Sequence, residues 1–354
     1  MSDLQAPPHA EAPARRARSL RRSAVLLLVA ALVVVAGVVA ALTLTADVAL
    51  RTRYEPRIER FDDPSAAIPP QSRPEPVADG AARTYLLLGS DSRISAGDAS
   101  QWQAGAQRTD AIMLVHLPAD RSGLYVMSIP RDTWVDVPGH GRAKVNAAYS
   151  FGGPALLVQT VEQLTGLPVD HVGVVDFEGF VAMTDALGGV EITVPEDTGD
   201  RRATFPAGTY TMDGKRALDY VRQRYGLDEG DFDRVRRHQN WVRAVLQGAM
   251  SRDTFTDPRE LDAFLLATTS AVALDSSFDV GELRQLALEL RGLGSQDVQL
   301  LTVPTAGTGR SADGQSIVLL DEPAAARLWQ AVRDGTLPQW VTSEDADLLG
   351  TTVD

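Results

Sequence analysis

An uninterrupted apolar segment near the N-terminus constrains this chain more than any other feature of its sequence. Residues 24 to 42 read AVLLLVAALVVVAGVVAAL and carry no charge, and the apolar stretch continues to Ala46. A helix of this length, rising about 1.5 Å per residue, crosses a hydrocarbon core of about 30 Å. The arginine-rich stretch RRARSLRR at 15 to 22 precedes it, and such charges keep an N-terminus in the cytoplasm. The sequence therefore predicts a single-pass cell-membrane protein whose later residues lie outside the cytoplasm.

A cleaved signal peptide is the alternative interpretation of this segment. The stretch TLTADVA at 43 to 49 is a tolerable cleavage site, but the apolar core of a signal peptide is shorter than this one. We therefore favour an uncleaved anchor. The predicted organisation is a cytoplasmic basic tail (1–23), a transmembrane helix (24–46), a proline-rich extracytoplasmic linker (47–82), one large domain (83–340) and a C-terminal tail (341–354).

The composition is that of a globular protein with an acidic surface. The 354 residues are 44% hydrophobic and 23% charged, and the formal net charge is −13. Because the first 50 residues contain more arginines than carboxylates, the rest of the chain is more acidic than the whole. This charge argues against a nucleic-acid surface, so phosphate binding would require a local arginine cluster. The absence of cysteine excludes thiol catalysis, disulfides and cysteine metal ligands.

Strand and helix patterns alternate from Arg83 onward. Three strand-like segments come first: YLLLG (85–89), AIMLVHL (111–117) and LYVMSIP (124–130). Helices are predicted within GGPALLVQTVEQLTG, within FEGFVAMTDALGG and over residues 232 to 250. This order predicts an α/β or α+β fold, with a mixed central sheet and helices packed on both faces.

Charged residues flank the first three predicted strands. Sequential strands often pair as neighbours, and an up-down-up order would bring one end of each strand to the same edge of the sheet. Carboxylates beside arginines suit a divalent cation and its phosphate ligand. Solvated salt bridges at strand ends would produce the same pattern and remain an alternative. The residues that would meet at this edge are Asp91, Arg108, Asp110, Arg131 and Asp132.

A second cluster of arginines lies between residues 222 and 237. Arg222 and Arg224 are two residues apart, which places them on one side of an extended backbone. Arg234 and Arg237 are one helical turn apart. Acidic residues between 228 and 233 could neutralise these arginines, which is the alternative to a bound phosphate. His238 follows directly, and a histidine on a helix is more often a packing or surface residue than a base.

Six motifs occur in order along the chain: GSDSR (89–93), RTDAIML (108–114), SIPRDTWVDVPGHGRAKVNAAYSFGG (128–153), DALGGVEI (185–192), DGKRALDYVRQR (213–224) and DFDRVRRHQ (231–239). Together they resemble the LytR-CpsA-Psr family of cell-envelope proteins. The resemblance is dense from about residue 83 to 250 and weaker to about 335. It implies an extracytoplasmic phosphotransferase that takes a glycopolymer from a polyprenyl-pyrophosphate carrier and joins it by a phosphodiester to peptidoglycan, at a muramic acid 6-hydroxyl.

The resemblance also implies roles for individual residues. By it, Asp91 and Asp110 bind Mg²⁺, with Mn²⁺ as a substitute. Asp110, Arg131 and Asp231 are candidates to assist deprotonation of the acceptor hydroxyl. Apolar residues of the helices at 154–165 and 178–187 are similar in place to the family's prenyl-chain pocket. Ordinary core is the alternative, and we expect most of these residues to be both. The residues that would contact the pyrophosphate are Arg108, Arg131, Arg222, Arg224, Arg234, Arg237 and His238.

Two positions depart from the family pattern. Asp233 stands where glycine is more common, and His238 stands where the family has glutamine. A histidine that donates to phosphate in place of glutamine would make activity more sensitive to pH, which we expect here.

Two other functions are compatible with the same residues. A hydrolase would use water as the acceptor and release the polymer, whereas an envelope regulator or transcription attenuator would bind without transfer. A cytoplasmic tail of about 23 residues leaves no room for a DNA-binding domain. Arabinogalactan-like, teichoic-acid-like and capsular polymers all fit as the substrate.

Overall fold

The computed structural model describes residues 48, 50–75, 81–90, 109–223, 231–249, 258–290, 293–343 and 346–349. The chain forms two compact units, Met1–Arg53 and Tyr54–Asp354, and all elements below belong to the second. The predicted membrane helix at 24–46 lies outside the described residues. Among the helices that are described, none has the length and apolar character needed to span a bilayer.

Strands and helices alternate through most of the second unit. The strands of the described residues are, in chain order, β1 (Glu59–Phe61), β2 (Arg83–Ser90), β3 (Thr109–Leu117), β4 (Leu124–Ser128), β5 (Trp134–Val137), β6 (Gly141–Lys144), β7 (His171–Val175), β8 (Val190–Val194), β9 (Thr198–Gly199), β10 (Thr204–Phe205), β11 (Gly208–Met212), β12 (Val272–Asp275), β13 (Val298–Thr302), β14 (Thr305–Arg310) and β15 (Ser316–Leu320). The helices are α1 (Val145–Thr165), α2 (Phe177–Ala186), α3 (Gly214–Val221), α4 (Asp231–Ala249), α5 (Pro258–Ala271), α6 (Val280–Leu290), α7 (Glu322–Arg333) and α8 (Leu337–Ser343).

Seven strands form the central sheet in the order β1-β12-β7-β2-β3-β4-β13. The pairs β2–β3 and β3–β4 are antiparallel, which confirms the predicted up-down-up order of the first three strands. The pairs β2–β7 and β4–β13 are parallel, so the sheet is mixed. The predicted mixed α/β fold is therefore confirmed.

Alternating residues of the strands supply two cores, one on each face of the sheet. Ile112 and Leu114 of β3 face α1 and α7, whereas Met113 and Val115 face α6. Leu114 is fully buried, and burying a leucine contributes roughly 1.5–3 kcal/mol. Helices thus cover both faces, as predicted.

A third apolar cluster joins α2, α3 and α4 to the β8–β11 hairpin. Aspartates begin two of these helices: Asp176 accepts from the backbone N–H of Gly179 and Asp213 from that of Arg216. Asp185, near the end of α2, accepts from the N–H of Gly214 at the start of α3, 2.7 Å away. These bonds fix α2 against α3, the two helices that border the candidate site.

Residues 54–75 differ from the predicted linker. β1 pairs in parallel with β12, and Ile58, Phe61 and Ile68 are buried in the cores of the domain. The proline content indicated an extended spacer, but apolar residues at intervals along the segment provide enough buried surface to pack it. The folded domain therefore begins well before residue 83.

The C-terminal segment also packs on the domain beyond the predicted boundary at residue 341. Leu349 donates its backbone N–H to the carbonyl of Leu300, and Asp347 accepts from the N–H of Thr302. Residues 346–349 thus run along β13.

An ion pair attaches the N-terminal segment to α1. The guanidinium of Arg73 donates from Nη2 to Oε1 of Glu162 at 2.7 Å and to the carbonyl of Val169 at 2.9 Å. The Glu162 side chain is fully buried, and its hydrogen bond with Arg73 raises the pKa of Arg73 above the ordinary value. The carboxylate thus depends on Arg73 for neutralisation.

We expect Arg73→Ala to lower the free energy of unfolding by about 3 kcal/mol, because a buried carboxylate loses its counter-ion. Chemical denaturation of the full chain, followed by tryptophan fluorescence, measures the change. Gln71→Ala, an exposed position two residues earlier, is the control and should change stability by less than about 0.5 kcal/mol. Equal midpoints for the two variants would contradict the assignment.

Candidate functional site

A pocket lies between the β2–β3 ribbon and helices α2, α3 and α4. It encloses about 860 Å³, including its opening to solvent. Its polar lining is Ser90, Asp110, Asp176, Arg222, Arg234 and His238. Its apolar lining includes Leu87, Met113, Val175, Phe177, Phe180, Leu218, Val221, Trp241 and Val242.

Along two of the elements that line this pocket, the lining changes from polar to apolar. Along α4, Arg234 and His238 come first and Trp241 and Val242 follow, so the lining changes from charged to apolar over about 12 Å at ~1.5 Å per residue. Along β3 the same change runs from Asp110 to Met113. The pocket therefore has a charged end at one sheet edge and an apolar end beneath the helices.

A β-bulge places Asp110 at the charged end. Gly89 pairs with Ala111 and Ser90 with Thr109, so Asp110 is the extra residue on its strand. In a regular strand, side chains point alternately to the two faces of the sheet, and a bulge changes the direction of the inserted residue. Asp110 is ion-paired with Nη1 of Arg131, which follows β4. The prediction that these two residues meet at one edge of the sheet is thus confirmed for the described residues.

Arg222 is held at the pocket by an aromatic ring. Its guanidinium carbon lies 4.1 Å from the centroid of the Phe177 ring, an arrangement in which the cation is attracted to the π-face. Phe177 is the first residue of α2, directly after Asp176. Sequence analysis did not single out Asp176 or Phe177, although an aspartate before a helical pattern is a recognisable start signal.

Arg237 does not line the pocket, and its contact with pyrophosphate stays a prediction. Its guanidinium donates to Oε1 of Gln223 at 2.8 Å, to the carbonyl of Tyr220 at 3.2 Å and to Oγ1 of Thr198 at 3.1 Å. Burial lowers the pKa of Arg237 below its ordinary value. Because Gln223 directly follows Arg222, these bonds of Arg237 fix the backbone next to Arg222.

His238 lines the pocket between Arg234 and Trp241. Burial, and then the positive charge of Arg234, lower the pKa of His238 to about 4. The imidazole is therefore neutral near pH 7 and would donate to an anion only through its single N–H. The pH sensitivity of activity stays a prediction. With this pKa, we expect activity to change at a more acidic pH than it would with an ordinary histidine.

The helix at 154–165 does not contribute to the pocket. Leu157, Val158 and Val161 are fully buried in the core beneath the opposite face of the sheet. The helix at 178–187 does contribute, through Phe180. For the first helix the structure thus shows the core packing that was the alternative, and a prenyl-chain contact there stays a prediction.

Several predicted site residues lie outside the described residues. They are Asp91, Arg108 and Arg224, whereas Asp231 begins α4 but its side chain is not described. Among the described residues, no group of three histidine or acidic side chains could hold a metal ion. Asp110 is the one predicted metal ligand that the described part of the chain contains.

Comparison with known proteins identifies similar chains. The LytR_cpsA_psr family model matches residues 60–334. The cell wall biosynthesis protein LcpA of Corynebacterium glutamicum is 33% identical over 284 residues, covering 69% of this chain and 54% of LcpA. The polyisoprenyl-teichoic acid–peptidoglycan teichoic acid transferase TagU of Enterococcus faecalis is 33% identical, covering 71% of this chain and 78% of TagU.

The fold is similar to that of a solved enzyme. The LytR-Csp2A-Psr enzyme from Actinomyces oris superposes with a TM-score of 0.62 at 22% sequence identity, covering 78% of this chain and 96% of that enzyme. At this identity the likeness concerns the fold alone. The chain spans about half of the length of LcpA, at 54%.

Removing the buried guanidinium should destabilise the protein more than removing its neighbour at the pocket. We expect Arg237→Ala to lower the free energy of unfolding by about 2 kcal/mol, because Gln223 and Thr198 lose buried partners. Arg234→Ala, one turn earlier on α4, should change it by less than about 1 kcal/mol. Denaturant titration of both variants measures the difference, and the reverse order would contradict the assignment.

We expect His238 to make the free energy of unfolding fall at acidic pH. Its pKa in the folded chain, about 4, lies below the unfolded value of about 6.5, so its contribution to stability is complete above pH 6.5 and falls as pH drops towards 4. Between pH 7 and pH 5 we expect the wild-type chain to lose on the order of 1 kcal/mol more than His238→Gln. Urea titrations at the two pH values measure this, and equal losses would rule out the depressed pKa.

Proposed function

The chain belongs to the LytR_cpsA_psr family, and on this premise we propose that it transfers a glycopolymer from a polyprenyl-pyrophosphate carrier to peptidoglycan. The relatives with which it aligns are named as cell wall biosynthesis proteins and as a teichoic acid transferase. The reaction forms a phosphodiester at a muramic acid 6-hydroxyl. The catalytic domain lies outside the cell membrane, with the N-terminal helix as its anchor.

One observation carries this proposal: a single pocket has an apolar end and a cationic end. Apolar residues including Met113, Phe180 and Trp241 suit a prenyl chain. Arg222 and Arg234 at the other end suit the pyrophosphate that joins the chain to the glycan. In a lipid-linked substrate an apolar prenyl chain is joined to a charged pyrophosphate, and the pocket lining changes from apolar to charged in the same order.

The donor set at the charged end is compatible with Mg²⁺. This ion takes one or two protein carboxylates and completes its shell with phosphate oxygens and water. Asp110 lines the pocket beside these arginines, and Asp91 is the second proposed ligand. When bound, the ion would neutralise charge on the phosphate oxygens. Mn²⁺ offers the same preference for oxygen ligands.

The residues of the chain then perform a displacement at phosphorus. The oxygen of the acceptor hydroxyl forms a bond to the phosphorus attached to the glycan, and the bond from that phosphorus to the bridging oxygen breaks. Polyprenyl phosphate leaves, and the hydroxyl proton is transferred to a base. Arg131, Arg222 and Arg234 stabilise the charge that develops on the phosphate oxygens. His238, neutral near pH 7, donates a further hydrogen bond.

The arginine contact can be tested on the full-length protein with a lipid-linked glycan, Mg²⁺ and peptidoglycan fragments. We expect Arg222→Ala to lower the rate of transfer about 100-fold, because a positioned donor to the transition-state charge is lost. Arg216→Ala is the control. Arg216 lies on α3, which ends directly before Arg222. Its guanidinium faces the rings of Phe205 and Tyr210 instead of the pocket, and its removal should leave the rate unchanged.

The products distinguish the alternatives. Glycan attached to the fragments supports transfer, and free phosphorylated glycan would instead indicate a hydrolase. Neither product would indicate a membrane-anchored regulator that binds without transfer. An Arg222→Ala variant with full activity would contradict the site.

A further inference from the structure

We propose that His140 and Phe151 form a stacking platform for a sugar ring of the acceptor glycan. The inference deepens the proposed function, since it assigns the acceptor side of the same site. The β5–β6 hairpin ends in the turn PGHG, and the imidazole of His140 in this turn stacks on the ring of Phe151. The ring centroids are 4.7 Å apart and the planes differ by 19°.

Phe151 is unusual in its exposure. It is 41% exposed, and no other phenylalanine, tyrosine or tryptophan of the described part of the chain is as exposed. A phenylalanine in contact with solvent loses the stabilisation that burial would provide. An exposed aromatic ring is therefore a candidate binding surface.

The backbone holds both rings in place. Gly139 and Gly141 flank His140 with φ of 74° and 70°, a left-handed conformation that glycine adopts without strain. Directly after Phe151, Gly152 and Gly153 leave helical geometry, and Gly153 has φ of 66°. The first part of α1 thus ends at Phe151. Rings fixed in this way lose little conformational entropy when a ligand binds.

The platform is connected to the reaction site through a short, regular path. The N–H of Asn146 donates to the carbonyl of Arg131 at 3.2 Å, and the N–H of Val145 donates to that of Thr133 at 2.8 Å. Phe151 lies five residues after Asn146 on the same helix, or about 8 Å along its axis. Lys144 also reaches this region, with Nζ 3.2 Å from Oδ1 of Asp132. The platform is thus linked through α1 to the backbone of Arg131, the residue whose side chain pairs with Asp110.

The size and surroundings of the platform favour a sugar over a protein partner. A stable protein interface buries about 800 Å² on each side, far more than one exposed ring pair provides. The apolar C–H face of a pyranose covers one aromatic ring, and its hydroxyls need polar groups around that ring. Asp136 and Arg142, exposed and directly opposite each other on β5 and β6, supply both acceptors and donors beside the turn.

Binding of soluble peptidoglycan fragments to the full-length protein, without lipid-linked donor, tests the platform directly. We expect Phe151→Ala to weaken binding about tenfold, the effect of losing one ring contact. Phe151→Trp keeps a stacking surface and should retain binding, whereas His140→Ala should weaken it less than Phe151→Ala. Leu288→Ala removes another exposed apolar side chain, 50% exposed on α6, and should have no effect.

The transfer reaction supplies a second readout. Phe151→Ala should raise the KM for the fragment while leaving kcat and the KM for the lipid-linked donor unchanged. Unchanged fragment binding, an equal effect on both substrates, or a change in oligomeric state with Phe151→Ala would each overturn the platform. Because binding is measured without donor, a protein that binds fragments through Phe151 but forms no transfer product would count against the proposed function alone.

Discussion

The register of the β2–β3–β4 ribbon determines where the charged groups of the site lie. Antiparallel pairing brings the end of β2, the start of β3 and the end of β4 to one edge. The bulge at Asp110 turns that side chain towards Arg131. A shift of one residue would move every apolar side chain of β3 to the other face, so the two cores on either side of the sheet enforce this register. The position of this charged edge thus depends on packing far from it.

Much of this arrangement could be predicted from the sequence, because the length and spacing of the first three strands leave few ways to pair them. The arginine helix was harder to interpret. Arg234 and Arg237 are three residues apart, which separates them by about 60° around the helix. That angle is enough for one to face the pocket and the other to face Tyr220 and Gln223. Spacing alone does not decide which side of such a helix faces the ligand.

The other differences also have physical causes. A proline-rich composition disfavours regular structure but does not prevent apolar residues from being buried, and Phe61 packs into the core despite its setting. Similarly, the periodicity of residues 154–165 shows that one face is apolar, but not whether that face contacts core or cavity. The bulge was not predictable at all, because a single extra residue leaves the strand pattern unchanged.

The two outer strands of the central sheet have a consequence for association between molecules. β1 is only three residues long and is followed by Pro64 three residues later, and at the other edge the segment at 346–349 bonds to β13. Within the described residues, neither edge therefore presents a long row of vacant backbone donors and acceptors. Such rows promote strand addition between molecules and aggregation. The described part of the chain is thereby protected from polymerising through the edges of its central sheet.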